Sequence, residues 1–238
     1  MSSDGCSRPY QVRISLRARR VRLEISPEHG LVIIVPRRLS RTHIPEILAR
    51  HQAWIEKTFA RLAQRPPPPP APPWKLPDAI ELRALGSTWR VAAHARKVPW
   101  VAVHVSQDHR LTVTGQIDEE QACRAALGRW LVRQAQMHLP PRVEALSQQT
   151  GLRHTHVSVR RQRTRWGSCA RGGRISLNAR LLFLPGDLVD YVCVHELCHT
   201  MHLNHSRAFW MLVQRHCPAA PDFRAALRAA GPLVPSWA

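Results

Sequence analysis

Apolar residues alternate with polar ones at Val12, Ile14 and Leu16 and again over residues 21–26, before an unbroken apolar run at 31–35. A period of two turns one face of a strand toward a core, so these stretches predict short strands with a turn at Pro27, His29 and Gly30. The period then lengthens. Ile44, Ile47, Leu48, Trp54, Ile55, Phe59 and Leu62 recur mostly three or four residues apart, which predicts a helix with one apolar stripe, capped by Ser40 or Thr42. Residues 66–73 are proline except for Ala71. Without backbone donors, that run favours an extended linker or insertion and closes the first module.

Past the prolines, residues 79–85 and 87–93, joined at Gly86, predict one hairpin, and residues 100–105 with 111–114 another. Ala122, Ala126, Leu127, Trp130, Leu131, Ala135 and Leu139 predict a long helix over 119–147, interrupted near Pro140 and Pro141. Two more strands are expected at 157–161 and 174–177. The segment 164–169 between them reads as a turn closed by Gly172 and Gly173. Asp187 can cap a helix from 188 to about 203, Ser206 a second to about 216, and Asp222 stands at the start of a short last one. This order predicts an α+β chain: β-strands plus a helix over 1–64, a proline-rich linker or insertion over 65–75, and a larger catalytic domain over 76–238.

Composition narrows the setting. Arg and Lys outnumber Asp and Glu by 35 to 16, for a net charge of +19, which attracts phosphates, acidic proteins or nucleic acid. Only Lys57, Lys75 and Lys97 are lysines; a basic excess carried by arginine, with many Ala and Pro, also follows from a GC-rich genome. Cys6, Cys123, Cys169, Cys193, Cys198 and Cys217 form no CxxC pair, which fits reduced thiols in a cytoplasm and suggests no cysteine-based metal site. The early apolar run is too short to span a bilayer, and no secretory leader precedes it, so a membrane location is not expected.

The chemistry concentrates near the C-terminal third. In His195-Glu196-Leu197-Cys198-His199 two histidines four residues apart share a helix face, so both rings reach one ion and Glu196 stands beside it. Val192, Val194 and Leu197 are apolar, so the helix is expected to be buried. His202 lies about 10 Å of axial rise from His195, too far for three ligands in a row to surround one ion. No Glu follows Glu196, which leaves His205, past a helix end at Asn204, as third ligand; Asp222 and His216 are weaker alternatives. Three neutral histidines leave one tetrahedral position open, the arrangement of a catalytic zinc, with Glu196 placed to accept the proton of an activated water.

Arg165-Trp166-Gly167-Ser168-Cys169, Ile175-Ser176-Leu177-Asn178, the stretch 191–199, Asn204-His205-Ser206 and Phe209-Trp210 together closely resemble the YgjP-like metallopeptidase family. The regions 11–62 and 82–91 resemble it too, so nearly the whole chain is covered; the proline run is the departure. The resemblance implies a zincin-like fold similar to the SprT-like metallopeptidases, one catalytic Zn2+ on His195, His199 and His205, Glu196 as catalytic residue, and polypeptide as substrate.

Arg161, Arg163 and Arg165 alternate ahead of Trp166, so on a strand they would share one face. Together with Trp166 they are candidates for a substrate groove beside the metal, against the plainer reading of a solvated basic face. A nucleotide or other phosphoanhydride as substrate, or a nucleic-acid-associated protein, remain alternatives to the peptidase.

Overall fold

The apolar run at 31–35 forms the centre of the first sheet. In the computed structural model β3 (Gly30–Pro36) pairs in parallel with β1 (Tyr10–Ser15) and antiparallel with β2 (Arg22–Ser26), in the order β1-β3-β2. The structure describes residues 8–16, 18–27, 29–64, 74–106, 108–162 and 164–238 and divides into two compact units, Met1–Pro72 and Pro73–Ala238. The proline run and Arg163 lie outside the described residues. Among the described residues no helix is long and apolar enough to cross a membrane.

In the first unit Leu31, Ile33 and Val35 pack with Ile44, Leu48 and Ile55 of α1 (Ile44–Ala63). Trp54 leaves the expected stripe: six residues from Leu48 it lies roughly 120° around the helix, and it is 45% exposed. Neither Ser40 nor Thr42 caps α1. A 3-10 turn, Arg41–His43, intervenes, and Pro45 sits in the first turn of the helix, where its missing N–H has no role to fill.

The second unit holds two sheets. β4 (Ala79–Leu82) and β5 (Ser87–Ala95) form the first hairpin, closed by the 3-10 turn Arg83–Leu85 and by Gly86 at φ +59°, so the first strand ends earlier than expected. With β6 (Val101–Ser106) and β7 (Arg110–Gly115) the order is β4-β5-β7-β6. The other sheet has β8 (His156–Arg160), β9 (Gly167–Ala170) and β10 (Arg174–Asn178) in the order β8-β10-β9. Here the expected turn over 164–169 is corrected: its second half is β9, antiparallel to β10, and Gly172 and Gly173 at φ +81° and +70° make the reversal. β9 is therefore an edge strand, and Arg161, Gln162 and Thr164 to Trp166 lie on no strand.

Helix α2 (Glu120–Thr150) runs unbroken through Pro140 and Pro141, against the expected interruption. The two prolines withhold bonds from the carbonyls four residues back, on Gln136 and Met137, and both residues are exposed, so water can take the missing donors' place. The inner face of α2, with Trp130, Leu131, Ala135 and Val143, packs into one core with α3 (Gly186–Cys198), whose Val189, Val192, Cys193 and Leu197 are buried. α3 starts at Gly186, with Asp187 Oδ1 accepting the Leu188 N–H inside the first turn. It stops at Cys198, five residues before the expected end. Thr200 Oγ1 bonds back to the Leu197 carbonyl at 2.8 Å, and the chain turns there. α4 (Arg207–His216), capped by Ser206, and α5 (Ala220–Ala229) complete the unit.

Arg142 joins these parts. Its guanidinium donates to both oxygens of Asp190 on α3, at 2.5 and 2.9 Å, and to the Gly186 carbonyl at 2.8 Å. Replacing Arg142 with Met keeps an apolar stem but strands Asp190 and that carbonyl. Thermal melts should show a loss of about 1–3 kcal/mol with unchanged helix content, since charge-assisted bonds of this kind contribute that much. A melting temperature equal to the parent's would mean that the α2–α3 contact does not depend on the pair.

Candidate active site and metal centre

His195 lies in the last turn of α3, His199 is its C-cap, and His205 sits in the connection to α4. Their imidazole nitrogens lie within 4.8 Å of one another and form the one group of His, Cys, Asp or Glu among the described residues that could hold a metal ion. His195 Nε2 and His205 Nε2 are 3.1 Å apart. Three nitrogens bound to one zinc at 2.0–2.1 Å and tetrahedral angles stand about 3.3 Å from each other, so the spacing fits the donor set. His216 and Asp222, the weaker alternatives, are not in the cluster.

The histidines are held from behind. Phe209 of α4, fully buried, stacks on His199 at 4.3 Å and meets His195 and His205 edge-on at 4.9 and 4.8 Å. His199 Nδ1 lies 2.8 Å from the His202 carbonyl. A carbonyl only accepts, so Nδ1 carries the proton and Nε2 keeps its lone pair for a metal. His202 thus serves the site through its backbone. Burial pushes the His195 imidazole down to about 3, with His199, His205 and Arg224 adding charge repulsion. Burial also lowers His199, against its bond to His202. Both rings are neutral at neutral pH, as ligands must be.

Glu196 is 6% exposed, and its Oε2 is buried without a hydrogen-bond partner. Burial pushes its carboxyl up to about 7, opposed by the positive charge of Arg165. A buried carboxylate oxygen without a partner is costly, and a water held between it and a metal would satisfy it. Gly167, the first residue of β9, makes room for this side chain: a Cβ there would lie 2.8 Å from Glu196 Cγ and Oε1. Cys169, on the same strand, is an inert thiol, pushed up to about 11 by burial and by Glu196.

The cluster opens into a cleft of about 570 Å3 lined by Arg165, Trp166, Gly167, Tyr191, Glu196, Trp210, Arg224 and Leu227, among others. Arg165 and Trp166 are positioned by Asn178 at the end of β10. Its Nδ2 donates to the carbonyls of Gln162 and Arg165 at 2.8 and 2.7 Å, and its N–H to that of Trp166 at 2.8 Å. Arg161 goes elsewhere. A Cβ added at Gly128 of α2 would lie 2.0 Å from Arg161 Nη1, so this guanidinium fills the space over Gly128 and does not line the cleft. Arg161 and Arg165 therefore do not share a strand face. Tyr191, Phe209 and Trp210 carried no assigned role in the sequence reading, and Arg224 no signal at all, because it reaches the cleft from α5.

A family model for the YgjP-like metallopeptidase domain matches residues 19–230. The chain belongs to the YgjP-like metallopeptidase family. Membership places it among metal-dependent peptidases, and the family strings seen in the sequence meet around this cleft. The crystal structure of the metallopeptidase zymogen of Pyrococcus abyssi abylysin is similar to 40% of this chain and 95% of that chain, at 21% identity and a TM-score of 0.37, too slight a likeness to bear on the site. No curated protein sequence matches significantly.

Two outcomes are expected of this YgjP-like site. His205→Ala should lose most bound metal while His202→Ala keeps it, because His202 offers only its carbonyl. Elemental analysis decides this, and equal metal in His205→Ala and the parent contradicts it. Gly167→Ala should retain metal and fold yet turn over substrate roughly tenfold or more slowly, because the new methyl displaces the Glu196 carboxylate. Parental turnover in that variant would mean that Glu196 needs no such room.

Proposed function

We propose that the chain is a zinc-dependent metallopeptidase in which Glu196 is the general base. The observation that carries this reading is the placement of a buried, unpartnered carboxylate beside the three clustered imidazoles and the edge strand β9. His195, His199 and His205 would hold the ion. Zinc in a site of three nitrogen ligands supplies a Lewis acid that polarises a carbonyl and lowers the pKa of a coordinated water from 15.7 toward about 7.

Glu196 accepts the proton of the attacking water as its oxygen bonds to the scissile carbonyl carbon. The same carboxyl then gives that proton to the nitrogen as the C–N bond breaks. A group pushed up to about 7 exchanges a proton in both directions at neutral pH. Arg165 favours its ionised, proton-accepting form. An extended polypeptide can add to the edge of β9 by main-chain hydrogen bonds and lay a side chain among Trp166, Tyr191 and Trp210. The five described cysteines are free, which suits a reducing cytoplasm.

Arg165 and Arg224 in one cleft favour a second reading, hydrolysis of a nucleotide phosphoanhydride, since guanidinium groups beside a Lewis acid also serve that chemistry. The net charge of +19 suits nucleic acid as a partner as well.

Zinc-loaded protein incubated with reduced, unfolded casein and, separately, with nucleoside triphosphates separates the two readings. New peptide amino groups are expected; phosphate or pyrophosphate release with intact casein would replace the first reading by the second. Glu196→Gln should keep stoichiometric zinc while its rate falls roughly 10²–10⁴-fold. Turnover near the parental rate would exclude Glu196 as the base.

A further inference from the structure

Two guanidinium groups line the cleft from different elements, Arg165 from the segment ahead of β9 and Arg224 from α5. Arg224 Cζ lies over the Trp210 ring at 4.8 Å, and the Trp210 and His205 rings are 5.4 Å apart. Among the described residues neither arginine side chain has a hydrogen bond or an ion pair to a carboxylate, whereas Arg142 spends its donors on Asp190. Asp222 is the nearest acid in sequence to Arg224. Two residues apart on a helix, the two side chains do not face each other.

Contact with the indole holds the guanidinium at the cleft while its N–H donors have no hydrogen-bond partner among the described residues. Those donors form a planar fork that matches a carboxylate. Leu227 and Tyr191 beside them offer apolar surface for the methylenes of a glutamate side chain. A neutral side chain lying here would cover two cations without satisfying them, and a lysine would be repelled. From His205 to the Arg224 guanidinium is at most about 10 Å through the shared indole, a span of roughly three residues of extended chain.

We infer that the Arg224–Trp210 corner, aided by Arg165, binds a carboxylate of the polypeptide substrate within about three residues of the bond that is cut. That carboxylate is either an acidic side chain or the free C-terminus of the substrate. The inference rests on the peptidase reading for its substrate class.

The test uses a ten-residue peptide of Gly, Ala and Phe carrying Glu, Gln or Lys at each position in turn, each made as free acid and as C-terminal amide. Binding to the full-length, zinc-loaded Glu196→Gln variant is measured by calorimetry, and cleavage is measured with the parent. Either Glu at one or two positions should bind roughly 10- to 100-fold tighter than Gln, with Lys weaker still, or the free acid should exceed the amide by a similar factor, as a charge-assisted pair contributes. Adding Arg224→Ala should remove the preference, and Arg224→Glu should turn it toward Lys. If the free acid binds and the amide does not, the C-terminus is the source; if Glu is preferred in both, the side chain is. Equal affinities for Glu, Gln and Lys peptides together with equal affinities for free acid and amide, or a carboxylate preference that survives Arg224→Glu, would overturn the inference, and cleavage that favours neither a Glu side chain nor a free C-terminus would do so while leaving the peptidase reading intact. Charge-selective binding without cleavage would uphold the carboxylate site and defeat the peptidase reading instead.

Discussion

Three imidazoles crowded together, two of their nitrogens 3.1 Å apart, can share one cation only through free lone pairs, and the surroundings of His195 and His199 disfavour their charged forms. Burial lowers the proton affinity of His195 and His199, and Phe209 fills the space behind all three rings. The same low-polarity setting raises the carboxyl of Glu196. Desolvation thus acts with opposite sign on the two kinds of group. It disfavours the charged forms of His195 and His199, and it makes the neighbouring carboxylate a stronger base than a solvated glutamate. Each half of that arrangement is costly in an empty core and is compensated once a cation is bound between them.

Positioning comes from polar fixtures outside the cluster. Arg142 ties α2 to the first turns of α3, so the helix that carries His195 and Glu196 is fixed at its far end. Asn178, 2% exposed, ties the irregular segment carrying Arg165 and Trp166 to the end of β10. These bonds set the cleft wall and the entry of β9, whose first residue must be small to admit Glu196. Packing, cleft shape and the position of the Glu196 carboxylate are therefore one problem, solved where α3, α4 and the small sheet meet.

Much of the histidine cluster was legible because its information is local. Two histidines four residues apart on an apolar helix need only the helical period to be placed together, and His205 followed from the absence of any later glutamate. The early end of α3 was not legible, because it depends on a threonine hydroxyl that competes for a helix carbonyl. β9 reads Gly-Ser-Cys-Ala, with no alternation to mark it, and becomes a strand because β10 pairs with it. The prolines of α2 were misread as a break because whether such a helix continues depends on which carbonyls face water. Of the arginine row, Arg165 lines the cleft, whereas Arg161 is drawn to the space above Gly128 for a tertiary reason, and Arg224 arrives from a helix with no sequence mark of its own.

X-ray absorption at the zinc edge of the metal-loaded protein tests the central claim most directly, because it reads the ligands of the bound ion. Three imidazole shells and one oxygen in a four-coordinate site, at about 2.0–2.1 Å, are predicted. A sulfur shell near 2.3 Å, or fewer than three imidazoles, would contradict a centre built from His195, His199 and His205.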